Sequence, residues 1–299
     1  MSSLQHTEHR ETSHRRPDDF AAKLDHLGIF RFSGQDAASF LQGQLTCDVS
    51  QASTYGGYCT PQGRMIASFL LWRVADGFAM TMSRDLVDSV RKQISKFVLR
   101  SKVRIEDASE SLVLVGATGE QAERALAVPS ATSLRLKDGR VLLAVPAAAA
   151  PDMLGGLALA DAGRWRWLDI RAGLPLITAA TGDQFLPQMV NLELIGGVSF
   201  DKGCYTGQEI VARTQHLGRV KRRMFLANVA AQAQAGDTLY SDDLREQASG
   251  TVINAEPSPE GGQDLLAVVQ VASRERSSVR LKAPDGPVLR FLPLPYAVS

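Results

Sequence analysis

The chain has 299 residues, about two domains' worth, of which 44% are hydrophobic and 22% charged, ordinary values for a globular protein. Lys and Arg total 33 against 32 Asp and Glu, and the formal charge of +1 excludes a polybasic coat for nucleic acid while leaving local patches open. Cys47, Cys59 and Cys204 make no CxxC pair, which argues against a zinc ribbon, a redox dithiol or a disulfide framework, and no apolar run reaches the roughly 20 residues needed to span a bilayer.

Residues 1–23 read as a flexible tail, whose first 19 or so residues hold His6, His9 and His14 and no apolar anchor after Leu4. The tail lacks the apolar core of a signal peptide, so a cytoplasmic protein with reduced thiols is expected. Order is expected from about Leu24. Ile29, Phe30 and Phe32 suggest a strand ending at Gly34, and residues 36–45 a helix with Phe40 and Leu41 inward. Residues 55–60, 65–74 and 78–82 read as successive strands, with turns at Pro61-Gln62-Gly63 and Asp76-Gly77. Ser83 is placed to cap a helix whose inward stripe holds Leu86, Val87, Val90, Ile94, Phe97 and Val98.

Strands return at 102–106 and 112–116, then a helix at 120–126 and a strand at 141–145. That order of elements fits an α+β fold. A helix starting at Trp165 should end at Gly173, with Pro175 blocking continuation. Residues 177–203 are Gly-rich and irregular, a length of loop that in a compact domain tends to be functional. After Gly218, short strands at 224–229, 248–254, 265–271, 279–281 and 288–292 suggest a small all-β barrel.

The densest signal is Asp201-Lys-Gly-Cys-Tyr-Thr-Gly-Gln-Glu-Ile-Val-Ala-Arg213. Thr206 and Glu209 have capping-box spacing, so a helix is expected right after Thr206, with Ile210, Val211 and Thr214 facing the core. Cys204 would then precede a helix N-terminus with Lys202 beside it, an arrangement that favours thiolate over thiol. A buried structural Cys204 in a tight turn is the competing reading. Arg213, His216, Arg219, Lys221, Arg222 and Arg223 form a run with no acid among residues 210–236, either a solvated face or a site for an anion such as an RNA phosphate. Trp165 and Trp167 are two apart and cannot share one helix face, so one is expected in the core and the other on a cleft.

KGCYTGQEIVAR at residues 202–213 resembles the signature of the YgfZ family, folate-binding relatives of the glycine-cleavage T-protein, an aminomethyltransferase. The resemblance extends through FLQGQLTCDVS at 40–50, TPQGRM at 60–65, DIRAGLPLI at 169–177, FLPQMVNLELIGGVSF at 185–200 and FLPLPY near the C-terminus. It implies a T-protein-like ring of three subdomains around a channel: two interleaved parts, one of them ferredoxin-like, over residues 24–217, and a C-terminal β-barrel over 218–299. It also implies bound tetrahydrofolate, a role in assembling or repairing iron–sulfur enzymes, and through one of these an indirect part in tRNA thiomethylation. By the same resemblance Cys204 and Lys202 are the chemical pair, and Trp165, Tyr205, Gln208, Glu209 and Arg213 the folate contacts. The implied partners are folate and iron–sulfur client proteins, with tRNA a further candidate and no membrane.

Two departures stand out. Leu27 occupies the place of a family tryptophan, and Ala67 and Ser68 replace the acidic pair that the aminomethyltransferase needs, so the glycine-cleavage reaction is not expected. Three separated cysteines fall short of the four ligands of a conventional cluster, so no stable metal is expected. A folate-dependent one-carbon transferase with Cys204 as nucleophile, and a tRNA-binding module using residues 213–223, are the alternatives.

Overall fold

The computed structural model describes residues 19–129, 131–217 and 220–298. Within them the chain enters a sheet at β1 (Ala21–Lys23), earlier than the Leu24 start expected from sequence, because Phe20 is buried and Ala21 to Lys23 pair with residues 115–117. The rest of the expected tail lies outside the described residues. β2 (Leu27–Ser33) follows after one turn but joins a different sheet.

The expected helix at 36–45 is shorter, α1 (Ala37–Gln42), since the chain turns at Gly43 and Gln44 so that Leu45 can bridge to Tyr58. β3 (Ser53–Cys59), β4 (Met65–Val74) and β5 (Gly77–Ser83) then form a meander through the two predicted turns. The strand order β3-β4-β5-β2 is completed by β6 (Arg104–Asp107) at the edge, antiparallel throughout. Between β5 and β6, α2 (Val87–Ile94) buries Val87, Val90 and Ile94 as predicted. Phe97 does not follow them: the helix tightens into a 3-10 turn after Ile94, the stripe rotates, and Phe97 is 45% exposed.

A second sheet has the order β10-β1-β7-β9-β8, built from β7 (Leu112–Ala117), β8 (Thr132–Arg135), β9 (Val141–Pro146) and β10 (Leu159–Ala160). α3 (Gly119–Leu126) and α4 (Ala150–Leu154) pack on it through Ala122, Ala125, Ala150 and Leu154. α5 (Ala162–Arg171) starts at Asp161, whose carboxylate caps the Gly163 amide at 2.6 Å, and ends before Gly173 at φ +69.

Residues 177–203 contain only a 3-10 turn at Pro187–Val190, yet Ile177, Thr181, Gln188, Val190 and Asn191 are fully buried. Side-chain amides replace the missing ladder: Gln188 donates to Val211 O at 2.7 Å and Asn191 to Met224 O at 2.8 Å. α6 (Gln208–Leu217) leads to the third sheet, of order β15-β12-β13-β14-β11-β16. Its strands are β11 (Arg222–Val229), β12 (Thr238–Ser241), β13 (Ala248–Pro257), β14 (Gln263–Gln270), β15 (Val279–Leu281) and β16 (Arg290–Leu292), with α7 (Val271–Arg276) between β14 and β15. This sheet curls into a half-barrel over its own core of Phe225, Leu239, Val252, Leu265 and Val269. The fold is α+β, as the sequence indicates, with β1, β8, α4, β10, β12 and α7 as elements its pattern does not reveal. Among the described residues no helix is long and apolar enough to cross a membrane.

Candidate functional site

Two places hold the residues that the sequence singles out. The first is the loop before α6. Cys204 is exposed there, whereas Cys47 and Cys59 are buried and burial pushes both of their thiols up to about 12. Segments far apart in the chain meet at the residues that flank Cys204, Lys202 before it and Gly207 after it. Lys202 Nζ donates to Gln42 O and Leu45 O, both at 2.6 Å, and lies 5.1 Å from the Tyr205 ring centroid. Burial brings the Lys202 ammonium down to about 8, with Cys47 and Asp48 acting in the opposite direction. The 60–64 turn abuts the start of α6 so closely that a Cβ on Gly207 would meet Thr60 O at 2.4 Å and Gly63 Cα at 2.8 Å. Gly207 also has φ +83, a conformation that only glycine adopts without strain.

That glycine replaces the expected capping box. α6 begins at Gln208 rather than right after Thr206, and Glu209 turns outward to pair with Arg213 at 2.8 Å on the exposed helix face. Val211 is buried as expected, while Ile210 and Thr214 are half-buried. Tyr205 is buried with its hydroxyl unpartnered. The basic run divides. Lys221 and Arg222 are exposed and His216 stacks edge-on against Phe200, but Arg223 is buried in an ion pair with Glu193 and also donates to Gln188 O at 2.8 Å. Arg223 is therefore a core cation and not part of an open anion site, and Arg219 lies outside the described residues.

The second place is a hollow of about 70 Å³ where the first two sheets meet α5. Leu27, Tyr55, Ser68, Phe69, Leu142, Trp165 and Asp169 are among its walls. Trp165 is 3% exposed; its ring rests on Gly116, and the Arg140 guanidinium lies 4.5 Å from its centroid. Arg140 also bonds Asp138 Oδ2 at 2.7 Å and Asp169 Oδ1 at 2.8 Å. Burial pushes the Asp169 carboxyl up, and Arg140 opposes that rise. Burial likewise raises the Tyr55 hydroxyl, which stays neutral. Ser68 bridges the backbone: its hydroxyl donates to Pro175 O at 2.8 Å and accepts from Ile177 N at 2.9 Å.

The structure thus joins Leu27, Ser68 and Trp165 in one hollow, and the walls of that hollow do not include Cys204, Lys202, Tyr205, Gln208, Glu209 or Arg213. Trp167 lies on a separate cavity of about 550 Å³ and donates its indole N–H to Asp264 at 2.8 Å, so each tryptophan of the pair borders a cavity of its own. Sequence reasoning does not pick out Tyr55, Arg140 or Asp169 individually; Asp169 carried the one available signal, its place at the head of DIRAGLPLI. Among the described residues no group of three or more His, Cys, Asp or Glu side chains is placed to hold a metal ion.

The three-sheet α+β arrangement is the fold of a glycine-cleavage aminomethyltransferase. The crystal structure of glycine cleavage system aminomethyltransferase T from Bartonella henselae superposes with a TM-score of 0.70 over 92% of this chain and 85% of that one, at 16% identity. No protein-family model matches the chain. Curated relatives are more similar in sequence. The tRNA-modifying protein YgfZ of Vibrio vulnificus is 32% identical over 95% of this chain and 94% of its own length. That of Escherichia coli O7:K1 is 35% identical over 92% and 93%. The chain belongs to the YgfZ family.

Proposed function

We propose that this chain is a cytoplasmic tetrahydrofolate-binding accessory protein for the assembly or repair of iron–sulfur enzymes, and that it supports tRNA modification, such as thiomethylation, through them. The observation that carries this reading is the hollow bounded by Leu27, Ser68, Trp165 and Asp169. Its walls are mostly apolar and include an indole, with a small set of polar groups, the composition that suits a flat heteroaromatic ring. Trp165, Leu27 and Phe69 would flank a pterin, and Asp169 would accept from its N–H edge while Arg140 holds the carboxylate in place. Tetrahydrofolate, when bound, would supply one-carbon chemistry at N5 of its ring and N10 of its arm.

The glycine-cleavage reaction is not part of the proposal. Ala67 has no proton to move, and the Ser68 hydroxyl is committed to the backbone on both sides. Cys204 supplies the exposed thiol. With Cys47 and Cys59 sealed, one thiol remains to meet a client, so a cluster would need ligands from the partner. The similarity to relatives named as tRNA-modifying proteins supports the link to tRNA modification.

Calorimetric titration with tetrahydrofolate tests the reading. The native chain should bind saturably, Trp165→Phe should weaken binding about tenfold, and Cys204→Ser should bind like the native chain. Phenylalanine is used because the Trp165 ring is packed against Gly116 and alanine would leave a void there. Absence of saturable binding by the native chain refutes the folate reading.

A further inference from the structure

Beside the hollow lies a second cavity, of about 250 Å³, that shares Asp169, Leu174 and Leu176 with it as common walls. The two are adjacent chambers on either side of these residues. His26 lines the second chamber alone, and both of its ring nitrogens are buried without a hydrogen-bond partner. Such a state is costly, because each buried polar atom has lost its water and gained nothing.

The charged walls and Asn254 are already occupied. Arg166 forms an ion pair with Glu256, Asp169 is bonded by Arg140, and Asn254 exchanges hydrogen bonds with Leu176 N and O, both at 2.9 Å. Burial, with Arg166 adding to it and Asp25 opposing, brings the His26 imidazole down to about 4, so the ring is neutral. A neutral imidazole offers one donor and one acceptor.

We infer that the second chamber is a subsite for an uncharged hydrogen-bonding group of the ligand, read by His26. The charges decide against an anion: the chamber already holds two carboxylates, Asp169 and Glu256, and its one guanidinium is paired. A carboxylate there would have no free cation to meet and would be desolvated at a cost of several kcal/mol. An amide fits, since its N–H and C=O match what the ring has to offer. The inference rests on the folate reading. With the pterin in the first chamber, the group that passes the shared wall is the p-aminobenzoyl arm; its amide to glutamate becomes the partner of His26, and the glutamate carboxylates lie beyond the chamber, in solvent past the exposed Gln234 at its rim.

Two probes separate this assignment from the folate reading: tetrahydrofolate, and 6-methyltetrahydropterin, which has the ring without the arm. His26→Leu should lose about tenfold in affinity for tetrahydrofolate, and its affinity for the armless pterin should change by less than about twofold. Equal losses for both probes, or no loss for either, overturn the role of His26. If the native chain binds neither probe, it is the folate reading that fails, and this assignment goes with it. A second measurement does not depend on the variant folding. In the native chain labelled with ¹⁵N-histidine, the His26 ring nitrogens should shift on adding tetrahydrofolate and stay in place with the armless pterin. An unmoved ring in the tetrahydrofolate complex refutes the contact.

Discussion

The loop that carries Cys204 and the hollow beside Trp165 are built by different means. The loop is shaped by main chain. Two backbone carbonyls hold Lys202, and Gly207 lets the 60–64 turn come within van der Waals distance of α6. The hollow is shaped by side chains drawn from unrelated elements: Leu27 from β2, Tyr55 from β3, Ser68 from β4, Leu142 from β9, Trp165 and Asp169 from α5. A site made of backbone tolerates few substitutions at its close approaches and so is written as a long unbroken motif. A site made of side chains is written as scattered single letters.

The contrast can be strained at several points. The largest loss of stability should come from Arg223→Ala, which strands Glu193 in the core. We expect about 3–5 kcal/mol in urea denaturation, as for a broken buried pair. Its neighbour Arg222, exposed at the start of β11, should tolerate alanine within about 0.5 kcal/mol. Equal effects at the two positions would refute the buried pair. Next comes Gly207→Ala, where a methyl would press on the Thr60 carbonyl with the backbone at positive φ. A cost of about 2–3 kcal/mol is expected, together with faster alkylation of the thiols. The same substitution at Gly156, where a Cβ would meet nothing within 4 Å, is the control.

His26 sharpens the side of the cavities. Its folded value of about 4 lies below the ordinary 6.5, so the folded state resists protonation and the unfolded chain takes the proton first. The stability is fully present above pH 6.5 and is lost as pH falls from there toward 4, by as much as about 3 kcal/mol. His26→Leu should flatten that part of the stability–pH curve. An unchanged slope would show that another group carries it. The smallest effect belongs to Cys204→Ser. The side chain is exposed, so the melting temperature should hold within about 0.5 kcal/mol equivalent while client activation in cells is lost. A large drop in stability would return Cys204 to a packing role.

Legibility in the sequence follows the same division. Strands β2 to β5 could be placed because apolar residues and turn glycines mark them, and the strands after Gly218 because short apolar runs alternate with Gly, Pro and Asp. The stripe of α2 could be followed only to Ile94, where a change from 3.6 to about 3 residues per turn moved Phe97 to the surface. Thr206 and Glu209 had the right spacing for a capping box, but Gly207 took the turn and Arg213 took the carboxylate. The irregular stretch 177–203 gave no periodic signal because Gln188 and Asn191 satisfy their neighbours' backbone through side-chain amides. For His26, Tyr55 and Arg140 the sequence offered nothing. His26 lies just before β2, Arg140 just before β9 and Tyr55 within β3, and only the folded chain brings His26 and Tyr55 to the two neighbouring cavities and Arg140 onto Asp169 between them.

The Lys202 ammonium spans 157 residues of chain to Leu45 and 160 to Gln42. A partly synthesised polypeptide therefore has the N-terminal carbonyls but not the lysine, and a C-terminal fragment has the lysine but not the carbonyls. The loop around Cys204 takes its shape only when these two distant segments have met, so its conformation reports completed folding.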